Sequence, residues 1–161
     1  MSGNGESAAG GGLFRDVKLA FGELFSGKLD PRQELLIQVS FGLLGAMARA
    51  DGVVSAEEAA FTNTWMDELK LSARARQVAT ESFATGCRRD YDSAADAKRL
   101  LVEFKPGSSE IERLYTGLLR LATADACIRP GETRFLQRIT PALGFPPSEL
   151  QRRLPGAVPP S

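Results

Sequence analysis

Hydrophobic residues along this chain recur every three to four positions, and no stretch alternates apolar and polar residues with period two. The first pattern puts apolar side chains on one stripe of an α-helix, whereas the second would mark strands. Phe14, Val17, Phe21 and Leu24 form the first stripe, and Phe61, Trp65 and Leu69 form another. Ala97, Leu100, Leu101 and Phe104 make a further one, followed by Ile111, Leu114, Tyr115, Leu118 and Ala122. Turn residues fall between them at helix-length intervals. The pattern predicts an all-α protein, a bundle of seven or eight helices with short connections.

Helix starts are also legible. Asp30-Pro31 reads as an N-cap followed by proline at N1, where the missing N–H costs nothing. Ser55 to Glu58 reads as a capping box, Ser109 with Glu112 repeats it, and Ser72 and Ser93 read as simple caps. Arg129-Pro130-Gly131-Glu132 puts proline at N1 and glutamate at N3. Outside the helical domain, expected over residues 13–153, lie a Gly/Ser-rich leader (1–12) and a Pro-rich tail (154–161). The leader cannot repay its ordering entropy and is expected to be disordered.

The chain matches itself without a gap at an offset of 74 residues. Phe41 falls on Tyr115, Leu44 on Leu118, Ala48 on Ala122, Asp51 on Asp125, Val54 on Ile128, Glu58 on Glu132, Phe61 on Phe135 and Leu69 on Leu143. Apolar agreement alone would be weak, because any two amphipathic helices agree in part. The shared Asp and Glu at one offset raise it. The repeat spans 31–72 and 105–146, and each copy reads as helix, turn, helix: 31–50 with 56–69, and 110–124 with 130–143. Two related hairpins packed about a pseudo-two-fold axis are the expected architecture.

Composition narrows the function classes. At 161 residues with 43% apolar content, the chain is one ordinary globular domain. The longest apolar run, Leu35 to Ala50, is broken by Gln38, Ser40 and Arg49, so no membrane span is expected. A net charge of zero argues against a nucleic-acid binder. Charge is uneven, however. Residues 1–70 carry 6 Lys/Arg against 10 Asp/Glu, a net of −4, and residues 71–161 carry 14 against 10, a net of +4. Two cysteines, Cys87 and Cys127, make no disulfide framework, which points to a reducing cytoplasm. The absence of histidine removes the imidazole base, the histidine metal ligand and the usual catalytic triad.

The order of ARADGVVSAEE, WMDELKLS, SFATGCRRDY, LATADACIRPGE and PALGFPPSEL resembles the TerB-like domain, in the version found in DjlA-type membrane-anchored co-chaperones. The resemblance covers about residues 35–152. It implies an all-helical TerB fold in a stress or tellurite-resistance setting, and metal binding by acidic turn residues, here Asp51, Glu58, Asp125 and Glu132. Two departures stand out. The chain has neither the membrane span nor the His-Pro-Asp of a J-domain, so a free-standing TerB-like domain or a piece of a longer protein is expected. Ala126 also replaces the glycine expected after the second Asp.

Carboxylates suit Ca2+ or Mg2+, and Asp51, Gly52 and Glu58 match positions 5, 6 and 12 of an EF-hand loop. The register fails at positions 1 and 3, which are Met47 and Arg49 in one copy and Leu121 and Thr123 in the other. One turn supplies too few oxygens for a tight site, so the two turns must converge to pool them. Without a ligand, the glutamates serve as N3 partners of helix N-termini and the aspartates accept turn N–H groups. That structural reading ranks above metal binding, and both stay open.

Other features are weaker. Cys87 precedes Arg88 and Arg89, which would favour its thiolate, although a lone surface or half-buried cysteine is commoner. Arg74, Arg76, Arg88, Arg89, Lys98 and Arg99 form the most basic stretch, diluted by Glu81, Asp90, Asp92 and Asp96, and read as a solvated face. Residues 13–25 read as a helix packed on the bundle, with direct membrane contact as the lesser reading. The leading expectation is therefore a non-enzymatic, cytoplasmic TerB-like module that binds a partner protein, recruited at most to the inner face of a membrane, with a weak Ca2+ or Mg2+ site. The alternative is a stress or tellurite-resistance protein whose ion chelation is the function, and an enzyme ranks last.

Overall fold

The computed structural model describes Phe25 and residues 29–50, 66–67, 69–122 and 130–155. These residues form six α-helices and, among themselves, no strand: α1 (Pro31–Ala50), α2 (Ala73–Gly86), α3 (Ser93–Glu103), α4 (Ser109–Ala122), α5 (Pro130–Ala142) and α6 (Ser148–Arg153). The leader, the stripe from Phe14 to Leu24, the Ser55 capping box, Phe61, Trp65 and Cys127 lie outside the described residues.

The caps explain where the helices begin. Asp30 accepts the N–H of Gln33 at 2.8 Å, and Ser72 accepts that of Ala75 at 3.2 Å. Two expected caps are displaced by one residue. The side chain that caps α3 is Asp92, accepting from Ala95 at 3.0 Å, so Ser93 becomes the first helical residue and is buried. At α4 the capping oxygen is that of Ser108, accepting from Ile111 at 3.4 Å. In both places two adjacent residues qualify as caps, and the apolar stripe decides between them.

Helix α1 runs through the centre, packing on α2, α3 and α5. Leu36, Ile37, Val39, Phe41, Leu43 and Leu44 are all buried, so its apolar positions wrap around it rather than lying on one stripe. That all-round burial requires close neighbours. A Cβ on Gly86 would strike the carbonyl oxygen of Gly42, and one on Gly45 would strike the carbonyl oxygen of Phe83. Glycine thus brings the α1 and α2 backbones together. The predicted stripes of the later helices are buried at Ala97, Leu100 and Phe104 on α3 and its C-cap and at Ile111, Leu114, Tyr115, Leu118 and Ala122 on α4, whereas Leu101 of the α3 stripe is only partly buried.

Two turns close identically. The N–H of Leu71 donates to Met66 O at 3.3 Å and that of Lys70 to Asp67 O at 3.1 Å. The N–H of Phe145 donates to Thr140 O at 3.1 Å and that of Gly144 to Pro141 O at 3.0 Å. Each is the 6→1 and 5→2 pair of a Schellman motif. Each has a left-handed residue, Lys70 at φ 57° or Gly144 at φ 92°. Every member of the second set lies 74 residues after its counterpart.

The C-terminal helix α6 is held by side chains. Arg153 lies over the rings of Tyr115 and Phe145, 5.1 and 5.2 Å from their centroids, and pairs with Glu112 and Glu149 at 2.6 Å each. The two rings stack at 4.4 Å. Beneath them Thr140 donates to Leu136 O at 2.6 Å, which leaves the Tyr115 hydroxyl to donate to Thr140 Oγ1 at 2.7 Å.

Candidate functional site

Of the four acids singled out in the sequence, Asp51, Glu58 and Asp125 lie outside the described residues. Glu132 is partly buried in the first turn of α5, the N-terminal position expected of it. Among the described residues no group of three or more His, Cys, Asp or Glu is arranged to hold a metal. The described edges of the two acidic turns nevertheless meet. A Cβ on Gly131, just before Glu132, would strike the carbonyl oxygen of Ala50, just before Asp51. A glycine at the start of α5 therefore lets its N-terminus abut the C-terminus of α1.

That junction forms one wall of a cleft of about 500 Å³. Ala46, Ala50, Gly86 and Gly131 contribute small residues, and Tyr91 and Phe135 contribute rings. Among the described residues, the remaining lining is dominated by five arginines, Arg49, Arg88, Arg89, Arg134 and Arg138, and includes no carboxylate. Helical spacing gathers them. Gly131, Arg134, Phe135 and Arg138 share one face of α5, and Ala46, Arg49 and Ala50 share one face of α1. Arg88 pairs with Asp90 at 2.9 Å. Among the described residues, no carboxylate pairs with Arg49, Arg89, Arg134 or Arg138.

A second concavity adjoins the first, sharing Arg88 and Tyr91, and is acidic, with Glu81, Asp90, Asp92 and Asp96 in its lining. Tyr91 donates to Asp96 at 2.7 Å. Burial first, and then the bond to Asp96, push the phenol far above its ordinary range, so it stays protonated and acts as a fixed donor. Cys87 is half-buried, its Sγ 3.6 Å from Gly45 O.

The linear basic stretch comes apart in three dimensions. Arg74 pairs with Glu34 at 3.2 Å, Arg76 with Asp67, and Arg99 with Asp96 at 3.3 Å, which makes them the solvated face expected. Arg89 instead joins Arg49, Arg134 and Arg138. Sequence reading passed over Arg134 and Arg138, although their spacing with Gly131 marks a single helical face.

Residues 38–154 match the family described as Tellurite resistance protein TerB. The chain belongs to the TerB family. Over 124 residues this TerB chain is 30% identical to "Co-chaperone protein DjlA" of Vibrio vulnificus (strain CMCP6), covering 76% of its own length and 43% of that protein. Identity to the protein of that name from Vibrio parahaemolyticus is 30% over 124 residues, with the same shares covered. For the Haemophilus influenzae protein it is 29% over 125 residues, covering 75% of this chain and 42% of the relative. The chain thus spans less than half the length of the curated relatives it matches. No solved structure matches it. Among the described residues, no helix is long and apolar enough to cross a membrane.

Proposed function

We propose that this TerB chain is a non-enzymatic, cytoplasmic, stress-associated module that works by binding a partner protein. The observation that carries the reading is its alignment, along three-quarters of its length, with proteins named as co-chaperones, whose work is done on other proteins. The arginine cleft supports it by offering a concave surface whose described lining carries one charge sign. The test is proximity labelling in the native cell with the chain fused to a labelling enzyme, against the enzyme alone. Reproducible enrichment of one protein is expected; identical labelling by both overturns the reading.

A second reading, a divalent-cation site whose ligands come from both acidic turns, is favoured by the contact between Ala50 and Gly131. It makes Asp51, Glu58, Asp125 and Glu132 the ligands and ion chelation, in a stress or tellurite-resistance role, the function. An amide NMR titration with Ca2+, Mg2+ and Mn2+ tests it. Saturable shifts around both turns, lost in Glu58→Gln plus Glu132→Gln, would support it, and the absence of shifts at millimolar ion would leave the acids as caps. In both readings we take the full fold to be seven or eight helices in two related hairpins, supported by the matching closures at Lys70 and Gly144.

A further inference from the structure

We infer that the arginine cleft between α1, α2 and α5 is the docking site for a short acidic segment of a partner protein. This rests on the partner-binding reading and adds where and by what chemistry the partner is held.

The cleft's charge is not used up within the described residues. Asp90 engages Arg88, leaving Arg49, Arg89, Arg134 and Arg138. The carbonyl ends of α1 and α2 also face this region, each equivalent to about half a negative charge. Together they equal about one negative charge, and the N–H ends of α3 and α5, whose Ser93 and Gly131 also line the cleft, supply about as much positive charge, so the four guanidinium groups are not offset. Maintaining such a concentration of like charge has a cost, which an acidic ligand relieves by forming forked guanidinium–carboxylate pairs.

Shape and surroundings select the ligand. Ala46 and Ala50 present only methyl groups to the cleft and leave room for side chains to enter, and the half-buried Tyr91 adds ring surface for aliphatic stems. A flat anionic bilayer reaches only the rim of a concave site. A long polyanion such as a nucleic acid running past Arg88 would meet Asp90, Asp92 and Asp96 of the adjoining concavity. A short acidic peptide fits between these limits.

The experiment is fluorescence anisotropy of the full chain with a labelled peptide of alternating glutamate and serine, and the glutamine–serine peptide as control. Saturable binding of the glutamate peptide alone is expected, weakening as salt rises to about 0.15 M. Arg134→Ala with Arg138→Ala should weaken it about tenfold, the sum of two exposed ion pairs. Both substitutions lie on an exposed face, and circular dichroism verifies that the variant is folded. Arg134→Lys with Arg138→Lys should retain most of the affinity. Arg74→Ala with Arg99→Ala, which removes paired arginines outside the cleft, should change nothing.

Failure of the folded chain to bind the glutamate peptide overturns the proposal, as does equal weakening by the Arg74/Arg99 pair. Binding to phosphatidylglycerol vesicles through Arg134 and Arg138 without peptide binding assigns the cleft to lipid and overturns it. Self-association abolished by the same pair of substitutions assigns it to a second copy and likewise overturns it. A cellular partner labelled equally by wild type and the Arg134/Arg138 variant would sink the cleft assignment while sparing the partner reading. Peptide capture at the cleft with no partner enriched in cells would do the reverse.

Discussion

The contact of α1 with α2 and that of α4 with α6 join elements at matching sequence positions, yet they are fastened by opposite means. On α1, Gly45 lets the neighbouring helix approach backbone to backbone at the Phe83 carbonyl, Gly86 of α2 abuts the Gly42 carbonyl in turn, and Gly42 itself makes room for the Tyr91 hydroxyl. The residues 74 positions on are Thr116 and Leu119, which carry side chains where the first pair has none. Fully buried Ala79 of α2 has Arg153 as its counterpart, and Arg153 bridges Glu112, Glu149, Tyr115, Phe145 and Thr116. Correspondingly, α2 runs for 14 residues and α6 for 6. A long helix seated against backbone gains dispersion contacts along its length. A helix of under two turns has too little surface for that, and a charged, ring-stacked anchor holds it instead.

The comparison breaks most sharply at the glycine seam. In Gly86→Val, the new side chain meets the Gly42 carbonyl and forces α1 and α2 apart. A loss of about 1–3 kcal/mol is expected, read from the urea midpoint at unchanged m-value. The clasp should break more gently. Arg153→Ala removes charge-assisted hydrogen bonds and a cation–π contact, partly exposed, and is expected to cost about 1–2 kcal/mol. Amide exchange should localise that loss to α6 and the facing turns of α4, leaving the α1–α2 seam protected. If α2 amides also exchange faster in Arg153→Ala, the two fastenings are not independent.

The smallest expected effect is a pH dependence confined to the clasp. Hydrogen bonds from Arg152 first, and then Arg153, pull the Glu149 carboxyl from 4.5 to about 2. Because its folded value lies below its unfolded one, its contribution is fully present above 4.5 and is lost as pH falls toward about 2. The stability advantage of wild type over Glu149→Gln should be constant at neutral pH and shrink through that window. An advantage that persists at the acid end would show that Glu149 acts by packing alone.

Much of this fold was legible because helix periodicity and caps are local. The stripes of α3 and α4, the caps Asp30 and Ser72, and proline at the start of α5 needed only neighbours within a turn or two. The one-residue shifts to Asp92 and Ser108 arose where adjacent residues compete for one cap. The seam was not legible: by propensity Gly42 and Gly45 weaken a helix, and only the approach of groups distant in sequence, the Phe83 carbonyl to Gly45 and the Tyr91 hydroxyl to Gly42, gives them a purpose. The cleft was hidden for the same reason. Its arginines come from positions 49, 88–89, 134 and 138, and a linear charge scan instead groups Arg88 and Arg89 with Arg74, Arg76 and Arg99, which the fold pairs with carboxylates outside the cleft.

The central claim, that the module binds a partner protein through the cleft, is tested most directly by site-resolved photo-crosslinking in the native cell. One variant carries a photo-reactive side chain in place of Arg89 on the cleft, the other in place of Val102. Val102 is 80% exposed and lies nine residues, or about 14 Å, along α3 from the cleft residue Ser93. The account predicts a discrete adduct with one protein from position 89 and none from position 102. The same adducts from both positions, or none from either, would contradict it.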